Sequence, residues 1–260
     1  MISITKNNYF QKHKMIEKVL SAAFWLGVWQ VLYWIVKQEI LIVSPVRVLQ
    51  RLAVLSGDSA FWITALNSMG HVLSGFLFGL AIGVILAVFT SASQTMYEIL
   101  YPVISIIKAT PIVSFIILAL VWIRSEHVPA FAAFLEIMPI VLENVKNGIA
   151  KTDGNLLQMA QSYRFGLART VRRVYIPSVM PYFTAACTTG MGLAWKTGIA
   201  AEVLSNTKLS VGGQIYDSKI YMETADLFAW TVVVIVMSVI LEKLMVRLMK
   251  TVGHKYNAVA

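Results

Sequence analysis

Apolar runs long enough to cross a lipid bilayer recur along this 260-residue chain, and they leave room for few folds. A helix needs about 20 consecutive, mostly apolar residues to span the hydrocarbon core. Six stretches qualify: Val19–Val36, Asn67–Ser91, Ile99–Ile123, Val128–Val145, Ser178–Leu204 and Leu227–Val246. Glu136 interrupts the fourth, and Lys196 and Glu202 interrupt the fifth. Composition agrees, with 58% hydrophobic and only 13% charged residues, against about 25% charged in soluble domains. The expected fold is an all-α polytopic membrane protein with six transmembrane helices. No linker or compositional shift divides it, so residues 1–260 read as a single domain. A long polar lead and the lack of a small-residue cleavage site favour a retained first span over a removed leader.

The net charge of +9 orients the chain. With the N-terminus inside, the inner segments hold Lys6, Lys12, Lys14, Lys18, Lys146, Lys151, Arg164, Arg169, Arg172, Arg173, Lys243, Arg247, Lys250 and Lys255. The outer segments hold only Lys37, Arg47, Arg51, Arg124, Lys208 and Lys219. This is the positive-inside bias, which predicts both termini in the cytoplasm and argues against a nucleic-acid partner. The single cysteine, Cys187, excludes an intramolecular disulfide and a thiolate metal cluster. The four histidines are scattered, and no phosphate loop, zinc-protease or nucleophile-elbow motif occurs. No catalytic or metal-ligating residues are expected. Energy for any work must come from another chain or from an ion gradient.

Between the spans, Ser44-Pro45 and Ser56-Gly57-Asp58 are turn signals that bracket a short interfacial helix. The polar loop Ser205–Asp226, with Gly212-Gly213, is placed to cap the outer mouth. Gly75, Gly79 and Gly83 recur every four residues in the second span, a spacing that lets two helix backbones approach closely, within one subunit or between two. Pro111, Pro139 and Pro181 predict kinks.

The segment Asn147–Pro177 interrupts the greasy pattern. It carries Lys151, Arg164, Arg169, Arg172 and Arg173 against Asp153, and Leu156, Ala160, Tyr163 and Leu167 recur at helical spacing. The spacing predicts an amphipathic helix beneath the bundle, with an apolar ridge offered to a soluble partner. Within the spans, an ionisable residue is costly and marks a function or an internal pair. Lys108 and Glu136, on adjacent spans, are expected to neutralise one another. Lys108, Glu136, Lys196 and Glu202 are each candidates to line a solute pathway, with internal pairing or reach to the interface as the alternative.

Gln158-Met159-Ala160-Gln161-Ser162-Tyr163-Arg164, then nine residues, then Val174-Tyr175-Ile176-Pro177, resembles the EAA loop of binding-protein-dependent ABC importer permeases. The family pattern is E-A-A-x-x-x-G, nine residues, then I-x-L-P, so Ala160, Ile176 and Pro177 fit. Gln158 stands where the family has Glu, and Arg164 where it has Gly; without that glycine the helix is expected to continue through residue 164. Lys108-Ala109-Thr110-Pro111, Met138-Pro139-Ile140 and Trp195 through Glu202 resemble the nitrate/sulfonate/taurine branch.

The resemblance implies the type I importer permease fold in a bacterial inner membrane. It also implies a second copy of this permease, two ATPase subunits and an extracytoplasmic solute-binding protein, with ATP and magnesium held by the ATPase and no cofactor on this chain. Leu156, Gln158, Met159, Ala160, Tyr163, Arg164, Leu167, Ile176 and Pro177 would then form the ATPase-coupling surface. The competing class is an ion-coupled carrier or channel that uses Lys196, Glu136 or Glu202 as coupling charges.

Overall fold

The computed structural model describes the backbone of residues 3–257 and the side chains of 17 and 19–253. Lys6, Lys12, Lys14, Lys18 and Lys255, part of the charge asymmetry, lie outside those described side chains. All regular elements among the described residues are helical. The α-helices are α1 (Ser3–Val36), α2 (Pro45–Ser56), α3 (Ser59–Ala92), α4 (Gln94–Ala109), α5 (Ile112–Trp122), α6 (Val128–Ala150), α7 (Gly154–Ser162), α8 (Leu167–Thr170), α9 (Ile176–Ser205), α10 (Val211–Ile220) and α11 (Thr224–Asn257), with a 3-10 turn at Ser125–His127 and a π turn at Val171–Tyr175.

The turn signals act as local chemistry requires. Ser44 caps α2, its Oγ accepting from the Arg47 amide, with Pro45 in the first turn. Asp58 and Ser93 cap α3 and α4 in the same way. Four helices are long and apolar enough to cross a membrane: those in Val19–Val36, Ser59–Ala92, Ser125–Ala150 and Thr224–Gly253. α9, at 30 residues, is long enough but is not counted with them. Thr188, Thr189, Lys196 and several glycines dilute its apolar content.

The expected third span, Ile99–Ile123, is not one helix: α4 and α5 meet at a bend of 104°. Pro111 has no amide to donate and drives the residue before it out of the helical region. Thr110 accordingly sits at φ −85°, ψ 130°. At Pro139 and Pro181 the helix instead runs through, because α6 and α9 are packed on several sides.

The bundle centres on α9, which packs against α3, α6 and α11. Lipid offers no hydrophobic drive for helix association, so close fit must supply it. A Cβ at Gly79 would lie 2.9 Å from Ile137 Cβ on α6, and one at Gly83 2.8 Å from the Met138 carbonyl; Gly75 meets the Ala130 backbone. The glycine row therefore seats α3 on α6 within one chain. Buried Phe76 and Trp195 fill the centre, and Trp195 Nε1 donates to the Val234 carbonyl at 3.0 Å, tying α9 to α11. α1 joins through Trp29, which donates to the Val43 carbonyl and stacks on Phe228. The rest of its apolar face, including Phe24, Trp25 and Ile35, is exposed.

Candidate functional site

The basic segment folds as two pieces. α7 begins at Gly154, where the Asp153 carboxylate accepts from the Asn155 amide at 2.8 Å, and it ends at Ser162. The helix does not continue through residue 164. The Arg164 amide donates to the Gln161 carbonyl at 2.9 Å, the Phe165 amide to the Ala160 carbonyl at 2.8 Å, and Arg164 has φ 51°. This is a Schellman closure, in which the left-handed position is normally glycine. The turn of the family pattern is thus retained with arginine in glycine's place, at a backbone cost of about 1–2 kcal/mol.

The turn re-sorts the expected apolar ridge. Tyr163 and Leu167 are 72% and 83% exposed, and Leu156 and Met159 are also exposed, whereas Ala160 is 2% exposed. Ala160 therefore belongs to the inside of the loop, its carbonyl taken by the Phe165 amide, and not to the outward ridge. Gln158 is exposed beside that ridge. Beyond the turn the chain runs without a break through α8 and a wide π-type turn, Val171–Tyr175, into α9. Ile176 and Pro177 sit half-buried at that junction. Pro177 cannot donate back along the helix, which favours a locally widened turn there. Lys151, Arg164, Arg169, Arg172 and Arg173 all remain exposed, and among the described residues none forms an ion pair.

Above this loop α9 shows an unusual outward face. Pro181, Ala185, Thr189, Lys196 and Ala200 are exposed on a small and polar stripe. The exposed faces of α1, α3 and α11 carry large apolar residues such as Trp25, Phe78 and Ile235. Lys196 is thus exposed among small side chains.

The other in-span charges are arranged differently from expectation. Lys108 pairs with Glu143 at 2.5 Å, not with Glu136. Glu143 lies two turns further along α6 than Glu136, within reach of the end of α4. Glu136 is half-buried without an ion pair among the described residues. Glu202 lines no pathway here: it is fully buried and accepts from Ser68 Oγ at 2.8 Å and the Gly212 amide at 3.0 Å, with His71 Nδ1 at 3.4 Å. The buried carboxylate locks α3, α9 and α10 together. Sequence reasoning passed over Glu143 and Glu242. Glu242 packs on Gly192 and accepts from Ser238 at 3.4 Å. Its signal was an acidic residue within the sixth apolar run.

The structure is a bundle of long apolar helices with a basic loop beneath its central helix, the architecture of a polytopic membrane protein. Residues 79–255 match the family described as the binding-protein-dependent transport system inner membrane component, and the chain belongs to it. It is a permease subunit of an ABC importer, in the inner membrane, and ATP hydrolysis in such systems resides on a separate chain.

Among relatives, a probable ABC transporter permease of Brucella melitensis is 23% identical over 87% of this chain and 92% of its own length. The taurine transport system permease TauC of Escherichia coli is 23% identical over 76% and 74%. The nitrate import permease NrtB of Synechocystis is 24% identical over 81% and 79%. In fold, the chain resembles a permease of a bacterial alginate ABC transporter crystallised with a pentasaccharide-bound periplasmic protein. That likeness has TM-score 0.64 and 11% identity, over 95% of this chain and 96% of that one.

Proposed function

We propose that two copies of this chain form the translocation pathway of an ATP-driven importer, with both termini and the loop 151–175 in the cytoplasm. Each loop docks on one of two ATPase subunits, which bind the ATP and magnesium; a solute-binding protein delivers solute to the opposite face. The observation that carries this reading is the ridge of Leu156, Met159, Tyr163 and Leu167, exposed outside the apolar bundle and rimmed by exposed cations. A short amphipathic element seated in a groove is an established binding mode.

The covalent path supports force transmission. α6 ends at Ala150 just before α7, and the chain after the turn is continuous with α9. When ATP draws the ATPases together, the loops move inward and α6 and α9 tilt with them. The pathway then opens outward, and hydrolysis resets it. Lys196, exposed on the small-residue stripe, favours a small anionic solute, in line with a relative named for nitrate. Glu136 is the second candidate for that pathway.

Leu167→Asp and Tyr163→Asp test the docking. Both side chains face solvent, so the thermal midpoint of the permease should not move, while co-purification of the ATPase should fall by more than about tenfold. An ATPase that stays bound to both variants would overturn this assignment. Solute uptake by vesicles that persists without ATP, and follows the proton gradient, would instead support an ion-coupled carrier.

A further inference from the structure

Arg164 occupies a position that the backbone would give to glycine. It holds φ 51° at the closure of α7, its side chain is exposed, and no carboxylate among the described residues pairs with it. Other residues share the left-handed region: Asn206 tolerates it by residue type, and Lys37, Leu209 and Met222 lie in loops at the opposite end of the bundle. Arg164 differs in its setting, because it stands between Tyr163 and Leu167, the most exposed apolar residues of the docking ridge. Strain held at a binding surface points to a use for the strained residue.

The charge around it says what kind of use. Four further cations, Lys151, Arg169, Arg172 and Arg173, are exposed on the same segment, and its one acidic residue, Asp153, is occupied in capping α7. Nothing in the loop neutralises the guanidinium. Gln158, beside the ridge, offers no negative charge to a partner.

We propose that Arg164 is a specificity anchor: it reaches from the tip of the loop to a carboxylate on the rim of the ATPase groove that receives Tyr163 and Leu167. The contact is a charge-assisted, two-pronged hydrogen bond of the kind a planar guanidinium makes with Asp or Glu. The proposal rests on the docking of this loop to an ATPase. It adds the chemistry of that partner: an apolar cleft with an acidic edge facing residue 164.

The test uses the full-length permease in lipid nanodiscs and the ATPase that co-purifies with it. Arg164→Gly relieves the backbone, so the permease alone should unfold at a higher temperature. The same substitution should weaken ATPase binding about tenfold and flatten its dependence on salt. Arg164→Ala keeps the strained backbone and loses the charge, so binding should fall with no gain in thermal stability. Arg164→Lys should restore part of the affinity. Opposite signs for stability and binding are what a merely structural arginine cannot produce.

Unchanged affinity and salt dependence in Arg164→Gly would overturn the proposal. So would a loss confined to nanodiscs rich in phosphatidylglycerol and absent from phosphatidylcholine, which would make Arg164 a headgroup contact. If Leu167→Asp abolishes ATPase binding while Arg164→Gly does not, the docking reading stands and this one fails. If neither variant weakens binding, both fail.

Discussion

The two ends of this bundle differ in what they bury: one holds a closed polar network, the other a basic loop with no buried carboxylate. At the α10 end a buried polar network is closed within the chain, although Lys208, Lys219, Tyr221 and Met222 around it stay exposed. Glu202 receives Ser68 and the Gly212 amide, Ser68 Oγ accepts from the Val211 amide at 2.8 Å, and Ser210 Oγ from the Gly213 amide at 2.9 Å. The Ser205 and Thr207 hydroxyls lie 2.7 Å apart, and Thr207 donates to the Ser125 carbonyl at 3.0 Å. Arg51 and Asp226 pair across α2 and α11, and hydrogen bonding to Asp226 holds the Arg51 guanidinium above its ordinary range. At the α7 end, five cations and four large apolar side chains are exposed; among the described residues the cations form no ion pair, though Arg169 lies over the Phe165 ring and Lys151 over that of Tyr182. The difference separates an internal lock, complete in one polypeptide, from a surface that a second protein must complete.

Substitutions can break that contrast. The largest effect is expected from Glu202→Ala. It leaves the Gly212 amide and Ser68 hydroxyl buried without an acceptor, at about 1–3 kcal/mol each, so the loss should be on the order of 3 kcal/mol. Thermal unfolding in detergent would show it, with faster hydrogen exchange in α10; an unchanged midpoint would mean that water replaces the carboxylate. Next comes Gly212→Ala. Its Cβ would collide with the Glu202 side chain and approach the Val203 amide nitrogen at 2.7 Å, which predicts a loss of about 2 kcal/mol. The same exchange at the other end, Gly154→Ala, meets nothing within 4 Å. It should be neutral or stabilise by up to about 0.5 kcal/mol. Equal effects at the two glycines would abolish the distinction between a locked and an open end.

Much of the architecture was legible because the bilayer imposes its own period. Apolar runs near 20 residues, the Ser44-Pro45 cap and the break at Pro111 follow from local chemistry alone. The coupling loop was legible as a spacing of residues. Its facing was not: Ala160 shares a helical stripe with Leu156 and Tyr163 in sequence, yet a single left-handed residue folds the chain back over it. Likewise a carboxylate in an apolar run announces a cost but not its partner. Lys108 could meet either Glu136 or Glu143, and only the crossing of α4 over α6 selects Glu143.

By itself, then, the sequence determined the helical membrane class, the order of its apolar runs, the break at Pro111 and the existence of an exposed basic loop. These depend on hydrophobicity and on backbone rules that act over a few residues. Tertiary structure decided which charges are sealed and which stay free: Glu202 locked under α10, Lys196 left open on a stripe of small residues, Arg164 held at the tip of its turn. Those outcomes depend on which helix faces touch, and contact between residues more than a hundred positions apart is set by packing rather than by local pattern.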